Sequence, residues 1–211
     1  MILLWAIIAG FVAGLSRAIV GKRPYRAPNV RRFWLVLLAF LPQFFAFRLE
    51  TTRNIFPDRY VPMVLVGSQA ILLIFTVANI TVPGFWVLGL GLVLNFLVIL
   101  ANRGMMPISP EVVQRILPSD LPPGLWSVGR RFGVGKDIVL EKGDTNLWVL
   151  SDIFVIRLSE TYRVAFSIGD VLIALGAFWI LWNMGAPRPA NAEDRSNTDP
   201  TASAILQEKS K

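Results

Sequence analysis

Asp170 is the acidic residue set inside an apolar stretch, in the run Ser167-Ile168-Gly169-Asp170. A carboxylate held away from water must be paired, protonated or given a ligand, so it is the first candidate for chemistry. Gln69, Asn95 and Asn102 lie in or beside other apolar stretches, and Gln43 in a further one. Asn95 and Asn102 are seven positions apart, which puts them on roughly the same face of a helix. With Ser167 and Asp170, the residues Gln69, Asn95 and Asn102 form the candidate binding set. Two chemistries suit it: interhelical hydrogen bonds, each worth about 1 kcal/mol, or a site for a ligand, an ion or a proton. The structural reading gains from the position of Asp170 near a helix start, where unpaired N–H groups and the positive dipole end favour an acid. Arg103, Arg157 or Arg163 would strengthen it by pairing with Asp170. The ligand reading needs a second acid for acid–base or metal work, and Asp144, Asp152 and Glu160 are available.

What is missing narrows the chemistry further. The chain has no Cys and no His, so it offers no disulfide, thiolate, imidazole base or ordinary haem ligand. No catalytic residue, metal ligand or cofactor is assigned. The stretch "GRRFGVGKD" at 129–137 resembles a phosphate loop but has Arg130 where the first glycine belongs and Asp137 in place of Ser or Thr, so the motif fails. Arg130, Arg131 and Lys136 are left either as contacts for an anion or headgroup or as a solvated loop.

The elements that must position these residues follow from hydropathy. The 211 residues are 54% hydrophobic and 17% charged, with mean hydropathy +0.56, and the apolar residues come in long blocks. About 20 apolar residues of helix cross a bilayer core. The spans expected are 2–19, 33–49, 61–81, 84–101 and 166–184, the second kinked at Pro42. The fold class is therefore an all-α membrane protein, a five-helix bundle with an external segment at 102–165 and a disordered tail at 185–211.

Arg17, Lys22, Arg23, Arg26, Arg31 and Arg32 crowd the 17–32 connection, where no acid occurs. The positive-inside rule makes this loop cytoplasmic, the N-terminus external and the tail internal. Trp34, Trp86, Trp179 and Trp182 then fall at the inner interface, with Trp5 and Tyr60 at the outer one. The six cations explain much of the net charge of +7 and suit anionic lipid headgroups; nucleic acid is not an expected partner. Because the basic residues follow the first apolar run rather than precede it, that run reads as an uncleaved anchor.

Ala6, Gly10 and Gly14 make a small-residue stripe on the first helix, for packing within the bundle or for a homodimer seam. In the external segment, Ser109, Pro110 and Glu111 read as a helix cap, first residue and first-turn acid. The run "KDIVLEKGDTNLWVL" suggests a small hairpin around 141–146. Trp126 and Trp148 suggest contact with the interface.

The "N-x-G-x-M-P-I" at 102–108, the "T-x-L-W-x-L-x-D" at 145–152 and the "SIGDVLIALG" at 167–176 resemble, in order, a bacterial family of small multi-helix integral membrane proteins known as a domain of unknown function. The resemblance runs to about residue 184 and implies a membrane location without an assigned activity. Where this chain has Arg103, the family pattern carries a second glycine. The function expected is that of a non-enzymatic accessory or assembly component of the bacterial envelope, touching lipids and other envelope proteins. The alternative is a small-molecule or ion carrier, or a membrane enzyme, using the polar cluster around Asp170.

Overall fold

A computed structural model describes residues 2–47, 49, 57–117, 126–157 and 163–186. The expected tail beyond residue 186 and Glu160 lie outside the described residues. Five long helices carry the fold: α1 (Ile2–Val20), α2 (Trp34–Phe47), α3 (Val61–Ala78), α4 (Phe85–Ala101) and α6 (Ile168–Asn183), with the short α5 (Pro110–Ile116) between the last two. They pack in the order α1, α6, α4, α3, α2, so the last helix enters between the first and the fourth.

Two helical stretches, Ile2–Val20 and Asp58–Ala78, are long and apolar enough to cross a membrane; α2, α4 and α6 are apolar but shorter. The second of these stretches includes a 3-10 turn, Asp58–Tyr60, leading into α3. Helix α3 ends at Ala78, three residues before the expected boundary. Asn79 leaves the helix to bind the loop before α2, its Oδ1 accepting from Arg31 N at 2.7 Å and its Nδ2 donating to Arg31 O at 2.9 Å.

Small residues decide which helices touch. Only Gly10, Gly14 and Ala18 are buried on α1, and the two glycines face the backbone of α6 at Phe178 and Leu181. The stripe is thus used within the chain. Gly91 of α4 meets Gly169 and Ile173 of α6, while Gly176 of α6 meets Leu88 of α4. A methyl group at any of these positions would collide with neighbouring backbone, so their small size sets the interhelix distance. The large apolar residues of α1 point the other way: Leu4, Trp5, Ile8, Phe11, Val12 and Ile19 are exposed, as are Trp34, Leu37, Phe40 and Leu41 of α2.

The all-α expectation needs correction, because residues 102–166 contain two small sheets. Strand β1 (Met106–Ile108) runs parallel to β2 (Asp137–Val139), and β3 (Phe154–Arg157) pairs antiparallel with β4 (Arg163–Phe166). The hairpin expected around 141–146 does not form. Its first apolar run becomes β2, whose partner is distant in sequence, and Trp148–Leu150 coils into a 3-10 turn. Alternation along β2 explains the choice: Ile138 packs toward the bundle with Val61, Leu65 and Met105, whereas Val139 packs outward with Ile108, Val112 and Val113. Burying both faces of one short strand outweighs what a solvent-exposed hairpin offers. Trp126 also joins the outer of these two clusters.

The helix start at Ser109 forms as expected, Ser109 Oγ accepting from Val112 N at 3.4 Å with Pro110 in the first turn. These pieces make a folded cap over one end of the bundle. The basic 21–33 loop lies at the other end, where Arg26 N donates to Met184 O at 3.1 Å.

Candidate polar site at the capped end of the bundle

The capped end is where β4 runs into α6. Ser167 is the N-cap: its Oγ accepts from Asp170 N at 3.1 Å, and Ser167 N donates to Asp170 Oδ2 at 3.2 Å. This reciprocal capping box satisfies two donors that the helix start would otherwise leave free. The Gly91–Gly169 approach brings Asn95 of α4 against the box. Asn95 Nδ2 donates to Asp170 Oδ1 at 2.9 Å, and Ser167 Oγ donates to Asn95 Oδ1 at 2.9 Å. Ser167 and Asn95 are buried. Three of the sequence-derived site residues, Asn95, Ser167 and Asp170, therefore form one connected set, and its internal bonds are those of structural glue.

Asn102 is recruited elsewhere. Buried at the C-cap of α4, it donates from Nδ2 to Val98 O at 2.7 Å and to Asn146 O at 2.8 Å, and accepts from Asn146 N at 2.9 Å on Oδ1. It fastens the 3-10 region of the cap to the bundle. Gln69 does not join either set, and its side-chain oxygen is buried without a hydrogen-bond partner among the described residues.

The turn after Asn102 accounts for the glycine in the Asn102–Ile108 motif. Gly104 N donates to Ile99 O at 2.9 Å, closing the end of α4, while Arg103 takes φ 58 and Gly104 φ 76. A left-handed residue in that position is normally glycine. Arg103 stands in a conformation that costs a residue with a Cβ roughly 1–2 kcal/mol.

The expected arginine partners do not take up Asp170. Arg163 donates to Arg115 O at 3.0 Å, and the Asp170 carboxylate is occupied by Asn95 and the capping box. Of the possible second carboxylates, Asp144 is exposed in a 3-10 turn. Asp152 is different. Lys136 O accepts from Met106 N and Pro107 O accepts from Asp152 N, at 3.0 and 3.1 Å, so both residues hang from β1. Lys136 Nζ stands 2.7 Å from Asp152 Oδ2 and 3.5 Å from Asp137 Oδ1.

The Asp152 side chain is only 3% exposed, and its Oδ1 is buried without a hydrogen-bond partner among the described residues. Burial pushes its carboxyl up to about 7; Lys136 pulls against that rise, while Asp137 and Asp170 add to it through space. Burial alone would pull the Lys136 ammonium down, but the charges of Asp152, Asp137 and Asp170 outweigh it and hold the group raised. In the sequence Asp152 is one acid among three, and Lys136 is either an anion contact or part of a solvated loop. Their pairing was hidden because β1 lies far from both in the chain. Arg131 is likewise held internally, by Asp58 at 2.6 Å and by Gly135 O at 2.8 Å.

The basic loop is a second polar region. The Arg17 guanidinium carbon lies 4.8 Å from the centre of the Trp182 ring, whereas Lys22, Arg23, Arg26, Arg31 and Arg32 are exposed. Among the described residues, no group of His, Cys, Asp and Glu is arranged to hold a metal ion.

Residues 28–182 match the family described as a family of unknown function (DUF5317). Comparison with curated proteins and with solved structures returns no match.

Proposed function

This chain belongs to the DUF5317 family of unknown function, and we propose that it is a multi-pass protein of the bacterial cytoplasmic membrane with a non-enzymatic accessory or assembly role. One observation carries the membrane reading: the bundle is packed inside out. On α1 the glycines are inside and the large apolar side chains outside. Only 17% of the apolar window of α1 and 28% of that of Asp58–Ala78 is buried, far below what an interior helix of a water-soluble core requires. Lipid chains cover such faces without cost, and association between helices then rests on close packing of small residues.

In this reading the basic 21–33 loop is cytoplasmic and the cap external, as the positive-inside rule applied to the six cations of 17–32 requires. The three shorter helices, α2, α4 and α6, are accommodated by local thinning of the bilayer. An accessory role is favoured because Asn95, Ser167, Asp170 and Asn102 spend their hydrogen bonds on one another and on the cap. The cap also offers Leu147, Trp148, Val149, Phe154 and Ile156 as exposed apolar groups for neighbouring proteins or for the outer interface.

The absence of cysteine makes the topology testable with single cysteines. A Lys22→Cys variant should react with a membrane-impermeant maleimide only after permeabilisation, and Lys142→Cys in intact spheroplasts. The reversed pattern, or release of the protein by alkaline carbonate, would overturn the reading. The carrier or enzyme alternative rests on the polar set around Asp170 and on the buried Asp152 Oδ1, which has no hydrogen-bond partner among the described residues and feels the Asp170 charge through space. If Asp170→Asn leaves folding and cellular phenotype unchanged, that alternative is lost.

A further inference from the structure

The basic end has a cleft of about 620 Å³ between the loop after α1, the turn before α4 and the end of α6. Arg23 and Arg26 line it on one side, and Val82, Pro83, Ile180 and Met184 supply much of its apolar wall. We infer that this cleft is a discrete site for the phosphate headgroup of an anionic phospholipid. The inference rests on the proposed membrane orientation and adds to it a located site in place of a diffuse attraction.

Three observations converge on this ligand. First, the cations are presented by fixed backbone. Arg23 N donates to Ala18 O at 2.8 Å and Lys22 N to Ile19 O at 3.0 Å, with Lys22 at φ 50. This is the paired closure that ends a helix through a left-handed residue. The bond from Arg26 N to Met184 O then ties the second cation to α6. The main chain that carries both arginines is therefore fixed, and only their side chains must order when the ligand arrives.

Second, the charge is unopposed. The segments lining the cleft lie in stretches 17–47, 59–110 and 171–192, which contain no Asp or Glu. Among the described residues, neither Arg23 nor Arg26 has an ion-pair partner, unlike Arg131 and Lys136 at the other end. Two guanidinium forks near one another match the oxygens of a phosphodiester, which they bind with short charge-assisted hydrogen bonds.

Third, the walls suit a lipid better than a free anion. The apolar side of the cleft is continuous in kind with exposed Val77, Ile80, Trp86 and Trp182 near the same end. A glycerol backbone and acyl chains would cover these residues, whereas inorganic phosphate would leave them bare. Basic pockets between helices on the cytoplasmic side are known to take such headgroups.

The test uses the full chain in nanodiscs and native mass spectrometry, with phosphatidylglycerol and phosphatidylcholine as probes. Phosphatidylglycerol should be retained at one per chain, with Arg23→Ala/Arg26→Ala weakening it about tenfold. Arg31→Ala/Arg32→Ala removes the same charge from the same loop outside the cleft and should leave retention within a few-fold of wild type. Arg23→Lys/Arg26→Lys should fall between, because charge remains but the forks are lost.

Equal weakening by the two alanine pairs would overturn the discrete site in favour of diffuse attraction. No weakening by the first pair, or equal retention of phosphatidylcholine, would also overturn it. Millimolar inorganic phosphate displacing the lipid would identify a simple anion site and defeat the lipid assignment. Thermal unfolding of each variant separates lost binding from lost folding. The maleimide pattern and carbonate resistance of the wild type test the membrane reading independently, so the cleft can fail while the orientation stands.

Discussion

The two ends of the bundle handle charge in opposite ways. At the capped end, Lys136 and Arg131 are bound to Asp152 and Asp58, and Asn95, Ser167 and Asp170 close a ring of hydrogen bonds. At the basic end, a buried amide, Asn79, clamps the loop backbone while Arg23 and Arg26 stay exposed beside a cleft. The lesson is that polar residues inside an apolar chain need not mark its binding site. Those at the capped end bond to one another and to the cap, whereas Arg23 and Arg26 at the other end have no ion-pair partner among the described residues.

The contrast breaks most sharply at Lys136. Lys136→Met strands the buried Asp152 carboxylate and should cost about 3 kcal/mol, the low end for a buried pair because the Lys136 side chain is 39% exposed. Unfolding in detergent micelles measures it. An unchanged midpoint would mean the capped end is not held by this pair.

The pH response follows from the same group. An aspartic acid titrates near 4 in an unfolded chain, and burial lifts Asp152 to about 7 when folded. Between those values the folded state holds the extra proton. The stabilisation is complete below the unfolded pKa and is lost as pH rises through about 7. Melting temperatures at several pH values across this window should fall in the wild type and flatten in Asp152→Asn.

The two asparagine clamps form a matched pair. Asn102→Ala and Asn79→Ala each remove a buried amide with several backbone bonds, and each should cost about 1–3 kcal/mol. Hydrogen exchange should then separate the ends. The first variant should expose amides around 145–150 and the second those around 30–33. If either variant loosens both regions, the ends are coupled and the comparison fails.

The smallest effect should be a gain. Arg103 holds φ 58, so Arg103→Gly should stabilise by up to about 1 kcal/mol, the relief of the left-handed conformation less the entropy glycine brings to the unfolded chain. A lowered melting temperature would show that the Arg103 side chain contributes contacts exceeding that strain.

Much of the architecture was legible because its causes are local. Apolar blocks, the Ser109-Pro110-Glu111 start and the Ser167–Asp170 cap each depend on residues a few positions apart. Membership of the family was legible for the same reason, its motifs being short and ordered along the chain. The basic loop also declared itself, since six cations without an acid need no fold to be noticed.

Tertiary structure decided what those local signals left open. It separated Asn102 from the Asn95 set, although both lie on one helix, because Asn146 of the cap and Ser167 of α6 compete for different turns of α4. It paired Lys136 with Asp152 through β1, a strand neither residue belongs to. It also replaced an expected hairpin by a parallel pairing between segments about thirty positions apart. Sequence alone determined the apolar helices, their caps and the charge asymmetry, because hydropathy and capping act over one or two turns. Which polar groups meet depended on the order α1, α6, α4, α3, α2, in which glycines let α6 approach the backbones of α1 and α4.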